Sequence, residues 1–293
     1  MIVDYTMLGA FLHCPMQFKL FVLDGLVLKE KPAPLAFGGA IHLALSEWYR
    51  SSNEEKSLQA FKDNYVDLEG EGTRTLANGE RLLREYFVKY AHEPFEVIYN
   101  ERSFAAHLGE IVDRNYPYLK YEPITYAGRF DSIVRWGNYV YVLEHKTTSR
   151  LGYSYFEQFF PNIQLDGYAF LCRALIGKCD GAVVNALGVN KSTQAEREKG
   201  GTSNYYRHIS SRTEKQLDAF QADTMRIVEC IHHSTVYHAF YQNKTACSTW
   251  GMCSYRDICR ANFDSRVIEM GYRKVKWNAL LGRQEEMEGG ENQ

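Results

Sequence analysis

Three residues in this chain have the types and spacing for phosphate or metal chemistry: Asp131, Glu144 and Lys146. They lie on two apolar-rich stretches, 126–135 and 139–146, separated by Gly137-Asn138, a good two-residue hairpin loop. With those two residues as the loop, Trp136 pairs with Tyr139, and counting outward sets Asp131 opposite Glu144. Lys146, two residues further on, shares the face of Glu144. Two carboxylates side by side repel unless a cation lies between them, so the triplet predicts a divalent-metal site with a lysine beside it. A solvent-facing hairpin with ordinary surface charges would carry the same residue types. Against that, Tyr139-Val-Tyr-Val-Leu143 is too apolar for an exposed edge strand, and it runs into charge where burial makes charge costly.

The pattern resembles the PD-(D/E)XK nuclease superfamily, specifically its RecB-like exonuclease branch. The resemblance implies that Asp131, Glu144 and the backbone carbonyl of His145 bind Mg2+ or Mn2+, and that Lys146 positions or activates the attacking water. Phe130 stands before Asp131 in place of proline, a departure the branch tolerates. Phe37-Gly-Gly-Ala-Ile-His42 resembles the branch's Gly-x-x-x-His element, which makes His42 an additional metal ligand. Read alone, a histidine on an apolar helix face is more often a core or capping residue. Gln164-Leu-Asp-Gly-Tyr168 resembles the Gln-x-x-x-Tyr element that orients the site and touches the nucleic-acid backbone. Pro161 suits a first helical turn, and Gln164 and Tyr168 share a face. The plain alternative is an amphipathic helix with Ile163, Leu171 and Leu175 as its core stripe. Glu101 falls where related nucleases carry an accessory acid.

The cysteines carry a second signal. There are seven, an odd number, and no basic segment followed by an apolar run opens the sequence, so a secreted disulfide framework is not expected. Cys247, Cys253 and Cys259 are separated by five residues each, and Cys14-Pro15 stands alone near the start. Thiolates at regular spacing in a reducing compartment suggest a metal. Leu12-His-Cys14-Pro-Met-Gln-Phe18 resembles the Cys-Pro-x-x-Phe start of iron–sulfur exonucleases related to AddB-type helicase–nucleases and CRISPR-adaptation nucleases, and Cys253 to Cys259 their last pair. The resemblance implies a 4Fe-4S cluster held by Cys14, Cys247, Cys253 and Cys259, acting as a staple rather than a redox centre. The family's middle pair is Cys-x2-Cys, whereas here Trp250 occupies that place and Cys247 lies upstream. Zinc or free thiols are the alternatives. Cys172, Cys179 and Cys230 sit in apolar contexts and are expected to be buried.

With 293 residues and 45% hydrophobic content the chain can bury a large core, and no apolar run reaches membrane-spanning length. The net charge of −2 means that phosphate contacts must come from local basic surface. Two segments could supply it: the polar loop 191–203, and Arg273, Lys274 and Lys276 near Trp277, which a surface helix explains equally. Tyr153, Tyr155, Phe156, Phe159 and Phe160 crowd the link after the hairpin, where some could stack on unpaired bases.

Periodicity predicts helices over 6–20, 39–52, 54–66 and 78–92, the last with Leu82, Leu83, Tyr86, Phe87 and Tyr90 on one stripe. Strands dominate 96–146, then come a helix at 161–176, strands near 181–189 and 205–210, and a helix at about 213–233. The expected architecture is an α/β, restriction-endonuclease-like fold with a mixed β-sheet flanked by helices, an N-terminal helical cap and a C-terminal iron–sulfur segment. One unit is expected over 1–282, made of a helical region over 1–95, a catalytic core over 96–235 and a cysteine-containing segment over 236–282, with a disordered tail over 283–293.

The expected function is metal-dependent hydrolysis of DNA phosphodiesters, acting as an exonuclease on single-stranded ends of DNA. The expected setting is intracellular, of bacterial, archaeal or phage origin, with roles in DNA repair, recombination or phage replication in view. Rivals are an endonuclease or end-trimming factor in CRISPR adaptation, a non-catalytic nucleic-acid-binding protein on the same scaffold, and an oxidoreductase using the cluster. No Gly-rich dinucleotide loop follows a strand, which disfavours the last.

Overall fold

The computed structural model describes residues 1–67, 72–113, 120–190, 204–249 and 252–286. The chain divides into two compact units. The first comprises Met1–Glu30, Ser103–Arg129 and Lys215–Gln293, and the second Lys31–Arg102 and Phe130–Glu214.

In chain order the strands are β1 (Ile2–Val3), β2 (Leu26–Leu28), β3 (Glu96–Asp113), β4 (Lys120–Trp136), β5 (Tyr139–Thr148), β6 (Gly181–Gly188), β7 (Tyr205–Ser211), β8 (Tyr272–Asn278) and β9 (Arg283–Glu286). The helices are α1 (Tyr5–His13), α2 (Pro15–Phe18), α3 (Ala33–Ser51), α4 (Glu54–Asp63), α5 (Leu76–Lys89), α6 (Tyr153–Glu157), α7 (Ile163–Ile176), α8 (Glu214–Val236), α9 (Arg256–Arg260) and α10 (Ser265–Gly271). Together they make the mixed α/β, restriction-endonuclease-like fold expected from the sequence, with a mixed sheet flanked by helices.

The second unit holds the sheet that matters for function. Gly137 takes φ +60° at the first turn position, as a tight two-residue hairpin with glycine first requires. The ladder then runs from Trp136↔Tyr139 to Ser132↔Leu143, the register counted from the turn. Strand β5 pairs parallel with β6 and β6 antiparallel with β7. Every residue of β6 is buried, as expected of a strand covered on both faces. Helices α3, α4 and α5 bury Phe37, Ile41, Leu45, Phe61, Leu82, Leu83, Tyr86 and Phe87 in one cluster, so the predicted stripe on α5 is a core stripe. Helix α7 packs on β5 and β6. It is capped by Asn162, whose side chain accepts from the amides of Gln164 and Leu165. Pro161 therefore stands one residue before the cap, not in the first helical turn.

In the first unit the helix expected over 6–20 is broken at Cys14, which is extended (φ −162°, ψ 116°). The residue before a proline is pushed out of the helical region, and Pro15 follows Cys14 directly. A short α2 and a wide helical turn over Lys19–Leu23 continue the segment. Strand β2 pairs antiparallel with β8, which pairs in turn with β9. Arg273, Lys274 and Lys276 thus lie on a strand and not on a surface helix. Arg283–Glu286 form β9 where a disordered tail was expected to begin. Buried positions on α8 follow the stripe Leu217, Phe220, Thr224, Val228 and Ile231. Cys230 falls off that stripe and is exposed, correcting the expectation of burial, whereas Cys172 and Cys179 are buried. Among the described residues no helix is long and apolar enough to cross a membrane.

Asp4 caps α1. Its carboxylate accepts from the Met7 amide and from Trp277 Nε1, each at 2.8 Å. Burial pushes its pKa up from 3.8 to about 6 despite those bonds. The folded state therefore binds this proton more tightly than the unfolded chain. Its contribution is complete below about pH 4 and is lost as pH rises through about 6, a change of up to ~3 kcal/mol. Asp4→Ser keeps a capping oxygen without the ionising group. Its stability relative to wild type in urea denaturation is expected to improve by up to ~3 kcal/mol from pH 4 to pH 7.

Candidate functional site

The site is built where β4, β5, α3 and α7 meet within the second unit. One step outward from Ser132↔Leu143 stand Asp131 and Glu144. The His145 backbone N–H donates to Asp131 Oδ2 at 2.8 Å, closing the two strands at this level. Lys146 Nζ lies 2.7 Å from Glu144 Oε1, so the lysine and the glutamate share a face as strand alternation demands.

Helix α3 brings His42 to the same point. A Cβ on Gly38 would lie 3.1 Å from Thr147 Oγ1 on β5, so a glycine one turn before His42 permits this approach of helix to strand. His42 Nδ1 then reaches Asp131 Oδ1 at 3.1 Å. From α7, the Gln164 amide bridges the pair: its Oε1 accepts from Lys146 Nζ at 2.8 Å, and its Nε2 donates to Glu144 Oε1 at 2.9 Å. An amide can do both at once, which neither a carboxylate nor an ammonium can. Tyr168, one turn on, is buried with its ring 5.6 Å from that of Phe130, the residue before Asp131.

The electrostatics separate the two acids. Burial opposes ionisation of Asp131, yet the charge and hydrogen bond of His42 hold its carboxyl below the ordinary range. Burial likewise opposes the charged form of His42, but Asp131 outweighs it and raises the histidine. Glu144 moves the other way from its partner acid, raised by burial and then by the neighbouring charge of Asp131. Burial pushes His145 down to about 3, so its imidazole is neutral. Two buried carboxylates with opposite shifts mark a place where charge is concentrated at a cost.

Whether a hard dication fits can be judged from the oxygens. Glu144 is only 2% exposed, and its Oε2 is buried with no hydrogen-bond partner among the described residues. A buried, unpartnered carboxylate oxygen beside a second carboxylate and a histidine is the donor chemistry of Mg2+ or Mn2+. Among the described residues, no three His, Cys, Asp or Glu side chains are already drawn into a metal-holding arrangement. Here Asp131 is turned onto His42 and the His145 amide, and Glu144 onto Lys146 and Gln164.

The four cysteines lie together in the first unit, all free thiols. Cys14 Sγ accepts from the Asn243 amide at 3.3 Å, and Cys247 Sγ donates to the Asn243 carbonyl at 3.9 Å. The Cys253 amide donates to the Cys247 carbonyl at 3.1 Å. Burial raises the Cys259 thiol, and Cys14, Cys253 and Cys247 raise it further, which places the four within electrostatic reach of one another. Their softness suits iron or zinc.

Of the other expected residues, Tyr155 hydrogen-bonds Thr148 and lies within reach of the charges of Lys146 and Glu144, and burial raises the pKa of its hydroxyl. Glu101 lies in β3 with φ +47°, in the left-handed region. Phe156 and Phe159 are buried, Phe160 is exposed, and the side chain of Tyr153, the loop 191–203 and Trp250 lie outside the described residues. Asn185 was missed from the sequence: its Nδ2 lies 2.7 Å from His145 Nδ1. The only signal for it was a polar residue inside an otherwise apolar strand, Gly181–Gly188.

The chain matches the family model of the PD-(D/E)XK nuclease superfamily over residues 5–260. No curated protein matches it. Among solved structures it is similar to a candidate exonuclease from Eubacterium rectale, at 16% identity over 78% of this chain and 81% of that one, with a TM-score of 0.44. It is also similar to the protein SSO0001, at 17% identity over 76% of this chain and 85% of that one, with a TM-score of 0.33.

Gln164→Leu removes both halves of the amide bridge, leaving Lys146 and Glu144 each short of one buried partner. Urea denaturation is expected to show a loss of about 1–3 kcal/mol. An unchanged midpoint would show that the bridge does not form.

Proposed function

The chain belongs to the PD-(D/E)XK nuclease superfamily, and on that premise we propose that it is a RecB-like, divalent-metal-dependent DNA exonuclease acting on single-stranded ends. The observation that carries the proposal is the buried, unpartnered Glu144 Oε2 beside Asp131, with Lys146 hydrogen-bonded at the same glutamate. A divalent cation would neutralise both adjacent carboxylates and give the unpartnered oxygen a ligand to hold.

Asp131, Glu144, His42 and the backbone carbonyl of His145 would hold one or two Mg2+ or Mn2+ ions. Such an ion supplies acidification of a water and charge neutralisation at the scissile phosphate. The protein's role is positioning. Glu144 and Gln164 aim the Lys146 ammonium into the site, where it orients the attacking water or stabilises charge on the phosphate in the transition state. Gln164 fixes the separation of lysine from glutamate, and Tyr168 anchors α7 against the strand that carries Asp131. All members of the Asp/Glu/Lys triplet are present and adjacent, which favours a working enzyme over a binding scaffold.

We further propose that Cys14, Cys247, Cys253 and Cys259 hold a 4Fe-4S cluster. The support is their convergence in one unit from chain ends more than two hundred residues apart. The cluster's role is to close that unit, since phosphodiester hydrolysis transfers no electrons.

Purified protein incubated with end-labelled single- and double-stranded DNA and Mn2+ is expected to shorten single strands progressively from an end, and chelator to stop it. Asp131→Ala and Lys146→Ala are expected to lower the rate at least ~100-fold without unfolding the protein. Intact DNA under every condition, or equal cutting by both variants, refutes the assignment. Internal cuts, or trimming confined to duplex ends, would instead identify an endonuclease or an end-processing factor. Anaerobic preparations are expected to be brown with about four irons per chain, falling on Cys253→Ser. A colourless, zinc-loaded protein would overturn the cluster and leave the nuclease reading intact.

A further inference from the structure

Three strands carry a row of polar residues through the interior of the second unit. His145 on β5 is in register with Asn185 on β6, and Asn185 with Arg207 on β7. Adjacent residues in register point to the same face of a sheet, so the three side chains stand in line.

The row has a direction, set at its far end. The Arg207 guanidinium meets both oxygens of Glu93, with Nη1 at 2.5 Å and Nη2 at 2.7 Å, and its carbon lies 3.6 Å from the centre of the Tyr90 ring. Nη2 also reaches the hydroxyls of Tyr86 and Tyr49 at 3.1 and 3.2 Å. Its Nε donates to Asn185 Oδ1 at 3.1 Å. A guanidinium can only donate, so it must face the oxygen of the Asn185 amide. The NH2 end is thereby turned to the Tyr86 hydroxyl at 2.9 Å and to His145 Nδ1 at 2.7 Å. His145 Nδ1 therefore accepts, and the ring carries its single proton on Nε2. The ring lies parallel to Tyr49, 5.5 Å between centres with planes 11° apart, and edge-on to His42 at 5.9 Å. Its backbone amide is held by Asp131.

We propose that Asn185, locked in one amide orientation by Arg207, is a positioning residue of the metal site, holding His145 in the Nε2–H form and with it the peptide between Glu144 and Lys146. The proposal rests on the nuclease reading of that strand. His145 is gripped twice, by its amide and by its side chain, and the groups on either side of it in sequence are the acid and the lysine of the site. Side chains that orient a metal's ligands typically change affinity or activity by about 10–100-fold when removed.

The test uses the full chain. Long-range 15N spectra of histidine-labelled protein without metal are expected to show His145 Nδ1 unprotonated and Nε2 protonated. Asn185→Asp, which can accept from Nδ1–H but not donate, is expected to move the proton to Nδ1. It is also expected to weaken Mn2+ binding, followed by electron paramagnetic resonance, by about tenfold or more. Where DNA is cut, kcat should fall by a similar factor with the DNA KM within about twofold. Asn185→Leu, close in volume and unable to bond, should weaken Mn2+ binding in the same way, and decides the matter if the aspartate variant does not fold. All measurements are made well below the melting temperature of each variant. A His145 ring protonated at Nδ1 in the wild type overturns the proposal, as do variants whose Mn2+ affinity and kcat match wild type. Wild-type protein that binds Mn2+ but cuts no DNA would sink the nuclease reading, while a tenfold loss of Mn2+ affinity in the variants would still uphold the positioning role.

Discussion

Between Tyr141 and His145 strand β5 is buried on both faces, so alternation along the strand sends consecutive side chains into separate compartments. Glu144 and Lys146 go toward α7, where Gln164 meets them, and His145 goes toward α3 and the polar row on β6 and β7. A slip of one residue would put the neutral imidazole where the carboxylate belongs and bury the lysine among tyrosines. The register is pinned at one end by the Gly137 turn and along its length by two neighbouring strands of opposite sense. The geometry of the site follows from that pairing more than from any single interaction within it.

Burying so many polar groups is costly unless each is answered. Most of the groups around β5 are: Arg207 is met by Glu93, two tyrosines and an amide, and Lys146 by Glu144 and Gln164. Such a network resists partial change, because deleting one member leaves another buried without a partner. Glu144 Oε2 has no hydrogen-bond partner among the described residues, and it belongs to the triplet itself. An unpartnered carboxylate oxygen beside a second buried carboxylate points to a ligand supplied from outside the chain.

The local features of this arrangement were legible in the sequence. The hairpin register needed only Gly137-Asn138 and period-two counting, and the approach of His42 needed Gly38 one turn earlier. Gln164 was legible through its spacing to Tyr168 in a Gln-x-x-x-Tyr pattern. What escaped depends on pairings between distant segments. Asn185 looks like a stray in an apolar strand, and Arg207 like an ordinary charge on a polar one, until the pairing of β5 with β6 and β6 with β7 lines them up with His145. The β2–β8 pairing joins residues some 245 positions apart, for which no local pattern exists, and it places Arg273, Lys274 and Lys276 on a strand. The interruption at Cys14 was readable from Pro15, yet the apolar period running through 6–20 masked it.

The bond from the His145 amide to the Asp131 carboxylate lets a main-chain proton listen to a side chain on the neighbouring strand. An amide proton given to an anion resonates downfield and exchanges slowly with solvent while the acceptor stays in place. Whatever draws Asp131 away, whether an incoming ion or a change of rotamer, must shift that one peak and hasten its exchange. A single backbone resonance thus offers a built-in gauge of how the acid is engaged, readable in the intact protein with no substrate present.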